Sequence, residues 1–404
     1  MQDVVFDKPY KFVPPVSSRF WPTILQLYLP RYLRIEYGVQ TVECRHADRL
    51  RTSLEAGRGI LLAPNHCRMS DPLVLGILAR RVRAHLYAMA SWHLFMQGRF
   101  TTFMIRRMGA FSVYREGMDK KAISTAIEIL EEARRPLVIF PEGAVSRHND
   151  VLMPLMDGTA MIARTAAKRR EKKGVRGVVV HPIALRYYFR GDLEATLSPV
   201  LNDIEARLSW HPQIGGPLMP RIRRIGEALL SLKEIEYFGA ARQGDPYQRV
   251  AALIDHLLLP LEQAWSVPPA NGSVVVRVKN LRSVILSDMV NGDLPEAERE
   301  RRWKELADCY LAQQMSHYPR DYVRRENNIP ERVLETVERF EEDLTDRTRI
   351  RGPLDVVLSV GEAIEVEPRR DRSLKQDPVM QAIEKQLRDM LAELVAEGAT
   401  RPIA

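Results

Sequence analysis

Short apolar runs separated by helix-length stretches set the rhythm of the first half of the chain. Residues 59–63 read as a buried strand, and after a polar interval the spacing predicts a helix over 71–81. A strand follows at 86–90, a helix over 93–108, the strand GAFSVY, a helix from Asp119 as N-cap to about residue 134, the apolar strand PLVIF, a helix over 158–167 and the strand VRGVVVHPIAL. Short apolar strands alternating with helices predict an α/β domain, with a mixed, largely parallel sheet covered by helices.

After Tyr188 the period changes. Residues 192–352 are mostly helical in pattern, with charged stretches such as EAERERRWKEL and breaks at HPQIGGPLMP and SVPPANGS. Strand-like sequence returns in LDVVLSVGEAIEV, followed by an amphipathic helix over 378–394. The division expected is an N-terminal amphipathic segment at 1–40, an α/β core at 41–191, a long helical insertion at 192–352, and a return to the core at 353–404. A separate C-terminal domain from about residue 270 is the alternative. No internal repeat or low-complexity tract stands out.

Composition narrows the class of partner. The chain has 404 residues, of which 45% are hydrophobic, which suffices for two compact domains or one large domain with an insertion. Its 60 Lys and Arg exceed 52 Asp and Glu, giving a net charge of +8, so the partner expected is anionic. Nucleic acid is disfavoured, because no segment clusters basic residues with aromatic ones. Cys44, Cys67 and Cys309 lie far apart without CxxC spacing, which points to a reducing compartment and to no metal site. The start MQDVVFDKPYKFVPP lacks the basic opening and apolar core of a signal peptide. No window approaches the roughly 18–20 uninterrupted apolar residues of a spanning helix.

Residues 19–39, RFWPTILQLYLPRYLRIEYGV, place Trp21, Ile24, Leu25, Tyr28, Leu29, Tyr32 and Leu33 near helical spacing among Arg19, Arg31 and Arg34. That is the profile of a helix lying in lipid headgroups, and also that of an N-terminal helix packed on a sheet. The stretch WHLFMQGRFTTFMIRRM either lines an acyl tunnel, touches lipid or belongs to the core. KRREKK, residues 168–173, reads as a solvated loop. The expectation is a cytoplasmic protein peripherally associated with the membrane.

Four loops at strand ends carry the candidate chemistry. In LLAPNHCRMSDPLVLG, an apolar run stops at Pro64, and Asn65, His66 and Asp71 follow. If the chain turns after Asn65 and a helix starts near Asp71, the carboxylate folds back to the imidazole, fixes its tautomer and raises the basicity of its other nitrogen. GAFSVYR ends a strand on Arg115, and FPEGAVSRHND runs an apolar strand into Glu142. In VVVHPIALRY, Pro182 should mark an edge or a bend, and His181 reads as structural. A serine lipase or esterase is disfavoured, because the chain has no G-x-S-x-G elbow and no serine obviously partnered to His66.

In order, NHCRMSD, GAFSVYR, FPEGAVSR and VHPIAL resemble the four blocks of the glycerolipid acyltransferase family, over about residues 55–190, with a fainter likeness at VGEAIEV. The resemblance implies acyl transfer from acyl-CoA or acyl-carrier protein to the hydroxyl of a lysophospholipid such as lysophosphatidic acid. No cofactor is needed beyond that co-substrate. It implies His66 as general base with Asp71 as its partner, and Asn65 in the same substrate-facing loop. Arg115 would hold the acceptor phosphate, and Glu142 and Gly143 would shape the acceptor site. Many relatives carry an arginine where this chain has Val145. Either Arg147 replaces it, or the acceptor is not a simple phosphomonoester. A catalytically silent lipid-binding scaffold on the same fold is the reading outside enzymology.

Overall fold

The computed structural model describes residues 8–398 apart from 210, 212, 269–272, 292–293, 324–327, 348, 371–372 and 375. The first seven residues of the expected membrane-contact segment therefore lie outside the described residues. The chain divides into an α/β unit, Tyr10–Tyr114, Met118–Gly191 and Gly352 onward, and a helical unit built on Asp192–Arg351 with Arg115–Gly117.

The α/β unit runs α1 (Phe20–Tyr37), β1 (Val39–Arg45), α2 (Ala47–Glu55), β2 (Gly59–Pro64), α3 (Asp71–Arg81), β3 (Tyr87–Ser91), α4 (Arg99–Arg107), β4 (Ala110–Val113), α5 (Lys120–Glu132), β5 (Leu137–Val138), α6 (Gly158–Lys172) and β6 (Val178–Phe189). The helical unit supplies α7 (Leu193–Arg207), α8 (Leu218–Phe238), α9 (Pro246–Ala264), α10 (Val274–Asn291), α11 (Glu296–Met315) and α12 (Pro330–Thr345). The chain then returns as β7 (Leu354–Val360), β8 (Ile364–Glu365) and α13 (Pro378–Gly398).

The sheet order is β1-β7-β6-β2-β5-β3-β4, with β8 also on β6. All neighbours are parallel except β6 with β7 and β6 with β8. Every residue of β2 is buried between β6 and β5, which is why its sequence is a continuous apolar run. A Cβ on Gly59 would stand 2.3 Å from the Leu130 carbonyl, so this position admits α5 only as glycine. Asp119 caps α5 by accepting from Ala122 N at 2.9 Å. Leu61, Phe111, Leu137, Val180, Ile383 and Leu387 share one core, in which α13 packs with the strands and α5.

Four expectations change. The helix over 93–108 is split, because Gly98 at φ 136° separates a short 3₁₀ turn from α4. KRREKK is no loop: most of it is the last turn of α6, where buried Arg170 donates to the carbonyls of Arg176, Glu131 and Gly57. β1 and α2 went unread, since β1 is an edge strand whose polar residues hide its one apolar face. Pro182 sits inside the central strand β6, at the point where β6 changes partner from β8 (Val179, Val180) to β7 (Ile183 onward), so its missing N–H costs no ladder bond.

The helical unit also contradicts the absence of a repeat. Glu205 near the end of α7 takes a two-pronged bond from Arg221 in α8 and accepts from Gln213 N between them. Glu234 of α8 does the same with Arg249 of α9 and Arg242 N, and Glu262 of α9 holds Arg277 of α10. Arg221, Arg249 and Arg277 stand 28 residues apart, and RIRRIGEALLSLKE and RVAALIDHLLLPLE each run from one clamp arginine to the next clamp glutamate. Ile222, Ile225, Leu253, Val278 and Leu281 fill equivalent buried positions after the arginines. The repeat escaped notice because only the clamp and those apolar positions recur, while the surface positions between them vary.

Candidate functional site

Pro64 ends β2, and Asn65 then continues the pairing with side-chain atoms. Its Nδ2 donates to Leu185 O at 3.0 Å and its Oδ1 accepts from Leu185 N at 2.7 Å. Asn149 repeats the arrangement on Tyr187 at 2.6 and 2.7 Å. Two amides thus satisfy the free edge of β6 beyond the last β2 residue, and the chain can leave the sheet at once. Asn65 is 3% exposed and spends its amide on this bridge.

Asp71 opens α3, where a carboxylate suits the positive end of the helix, and Pro72 at the second position, where no intrahelical N–H is needed, favours the start. The turn brings Asp71 Oδ2 to 2.9 Å from His66 Nδ1, with Arg68 N donating to the same oxygen at 2.9 Å. Tyr187 donates to Asp71 Oδ1 at 2.6 Å. Burial, and then Asp71, push the Tyr187 hydroxyl far above its usual range, so it remains a donor. The Asp71 side chain is fully buried, whereas His66 keeps 15% exposure. Nδ1 donates to the carboxylate, so Nε2 carries the lone pair, and it has no partner among the described residues.

The imidazole stacks on Phe140 with ring centres 3.9 Å apart. Two residues on, Glu142 Oε1 accepts from His66 N at 2.6 Å and Oε2 from Met153 N at 3.0 Å. Burial raises Glu142 to about 7 against the pull of those two N–H groups, with Asp71 adding to the rise. The loop closes further through Ser146, whose N and Oγ both donate to His66 O, at 2.7 and 3.0 Å. Gly143 has φ 72°, and Met156 fills the place of a Cβ at 2.6 Å. Arg147 is half-buried at φ 60° in the same loop.

The structure therefore gathers Asn65, His66, Asp71, Glu142 and Gly143 around the ends of β2 and β5, the carboxyl ends of neighbouring parallel strands, where open α/β sheets bind ligands. Arg115 follows β4 by two residues and groups with the helical unit. Burial, then Arg282, bring its pKa down to about 10, so it is cationic at neutral pH. Sequence reasoning missed Tyr187, which orients Asp71, and Asn149. Both lie near blocks already noticed, in the RHND that follows FPEGAVS and in the strand after Pro182.

A half-buried histidine on a buried aspartate at the carboxyl ends of central parallel strands, braced by a glutamate from the loop after β5, defines the candidate site. Residues 41–186 match the family model described as Acyltransferase. Over that span the α/β unit is similar to acyltransferases. The chain is 37% identical over 111 residues to a 1-acyl-sn-glycerol-3-phosphate acyltransferase of Streptococcus pneumoniae (strain ATCC BAA-255 / R6). That alignment covers 27% of this chain and 38% of the relative, so the chain spans well under half the length of the curated protein it matches.

Proposed function

We propose that the α/β unit moves an acyl group from an acyl thioester, acyl-CoA or acyl-carrier protein, to the hydroxyl of a lysophospholipid, with lysophosphatidic acid as the leading acceptor. The observation that carries this reading is the 2.9 Å bond from His66 Nδ1 to buried Asp71, which leaves Nε2 to accept a proton. As the acceptor oxygen attacks the thioester carbonyl, its proton passes to Nε2, the carbon–sulfur bond breaks, and the imidazolium returns the proton to the departing thiolate. General-base assistance of this kind is worth roughly 10² to 10⁴ in rate. Asp71 stabilises the imidazolium, Tyr187 and Arg68 N hold Asp71, and Glu142 fixes the His66 backbone. Asn65 acts as a positioning residue through β6.

Arg115 keeps the acceptor phosphate on the strength of its motif, and Arg147 stands in for the arginine replaced by Val145. Membrane contact falls to α1. Leu29 and Leu33 bury one face of it, while Phe20, Leu27, Tyr28 and Ile35 remain exposed on the rest. Trp21 meets Phe103 of α4 at 5.3 Å, and Phe100 beside it is 75% exposed. Neighbouring exposed aromatics and aliphatics among arginines suit the headgroup layer. No helix among the described residues is long and apolar enough to cross a membrane.

Incubation with a mass-tagged acyl thioester and a panel of phosphorylated and neutral lysolipids tests the reading. Transfer to phosphorylated acceptors is expected, with Arg115→Ala weakening these more than neutral ones. Binding of lysolipid without any transfer would leave a silent scaffold, and equal losses on all acceptors would remove Arg115 from the phosphate.

A further inference from the structure

At the start of α1 the charges run against the helix. The first turn of a helix presents unpaired N–H groups and the positive end of its dipole, which favours acids over bases. Elsewhere in the α/β unit arginines obey this: Arg80 and Arg81 end α3, Arg106 and Arg107 end α4, and Arg169 and Arg170 end α6. α1 opens instead on Arg19, with no acid in its first turn and no side-chain cap.

Two further cationic or ionisable groups converge there. Arg135, 9% exposed, donates from Nη2 to Ser18 O at 3.0 Å and lies over the Tyr87 ring at 5.1 Å. His85 Nε2 stands 3.3 Å from Thr23 Oγ1, in the opening turn of α1. Arg135 Nη1 and His85 Nδ1 are both buried with no hydrogen-bond partner among the described residues. Glu132, the acid nearest Arg135 in sequence, is turned to Arg134 at 3.3 Å. Burial lowers the pKa of Arg135 and of His85, and Arg19 adds to the fall in each case. Thr23 Oγ1 donates to Arg19 O, so His85 Nε2 donates to Thr23 Oγ1 and its Nδ1 is an acceptor. The orphaned donor is Arg135 Nη1; left unpaired beside Arg19 it is costly, and an anion relieves both the missing bond and the repulsion.

We propose that the first turn of α1, with Arg19 and Arg135, seats the phosphate of an anionic bilayer phospholipid, separate from the lipid that is acylated. Two features favour a lipid over free phosphate. Arg19 and Thr23 open the position to solvent, and Phe20 and Ile24 on the same turn are exposed, where acyl chains attached to the phosphate would lie. The inference rests on the membrane contact proposed for α1.

Co-sedimentation of the full chain with phosphatidylcholine vesicles and with vesicles containing phosphatidylglycerol tests it, using Arg19→Glu and, as a control of equal charge change further along α1, Arg31→Glu. Tighter binding of wild type to phosphatidylglycerol is expected, and Arg19→Glu should lose about tenfold more of it than Arg31→Glu, the equivalent of one charge-assisted bond. Phosphatidylcholine binding should be unchanged in both variants. Arg19→Glu should also melt higher than wild type, because the new carboxylate supplies the missing acid. Equal losses in the two variants would mean diffuse attraction and overturn the site. Protection of wild type by inorganic phosphate without any preference for phosphatidylglycerol would overturn the lipid. Failure of wild type to bind either vesicle would instead sink the membrane reading of α1 itself.

Discussion

Replacing Glu142 with glutamine separates what its charge does from what its shape does. Glu142 is 3% exposed, and its two oxygens accept from His66 N and Met153 N. Burial lifts it from 4.5 to about 7. An acid whose folded value exceeds its unfolded one binds its proton more tightly when folded, so it adds stability at low pH. That contribution falls away as pH rises from 4.5 to about 7, and above 7 the loss is complete, about 3 kcal/mol. Glutamine keeps the acceptor for His66 N but sets an amide NH₂ against Met153 N, a constant cost of about 1–3 kcal/mol. Glu142→Gln should therefore be the less stable protein below pH 5, and the gap should close or reverse by pH 8. Urea unfolding of both proteins in parallel from pH 4.5 to 8 measures the gap, since titrating groups remote from Glu142 cancel in the difference. A gap that stays constant across that window would refute the reasoning, because it would place the ionisation of Glu142 below the range where burial puts it.

Tyr187→Phe removes the donor to Asp71 Oδ1 while keeping the ring, and a bond to a charged group is worth about 1.5–3 kcal/mol. Turnover should drop with little change in the apparent affinity for the acyl donor, as steady-state kinetics would show. In the helical unit, Glu234→Ala strands Arg249 and the Arg242 N–H, and should cost about 3–5 kcal/mol in chemical denaturation. The exposed pair Lys385–Asp389 provides the contrast, where Asp389→Ala should leave the denaturation midpoint nearly unchanged.

Much of the α/β unit was legible because its central strands are buried on both faces and so are written as unbroken apolar runs. Residues 59–63 became β2, and the helix expected over 71–81 became α3 with the same limits. The His66–Asp71 bond was legible too, since a turn followed by a helix start leaves a carboxylate five residues on within reach of the ring. What stayed hidden was set by distant sequence. Tyr187 reads as one more apolar strand residue until β6 is laid beside β2, and Asn65 reads as a substrate-facing amide until Leu185 is found opposite it. The first turn of α1 was read from its own residues alone, whereas Arg135 and His85 reach it from α5's end and from the loop before β3.

The central claim is that Nε2 of His66, held by Asp71, takes the proton from the attacking hydroxyl. Single-turnover acyl transfer to lysophosphatidic acid, run with wild type and His66→Ala at matched acyl-thioester occupancy, tests it most directly. The chemical step should slow by roughly 10² to 10⁴ in the variant with donor binding unchanged. A variant that transfers acyl groups at the wild-type rate would contradict it.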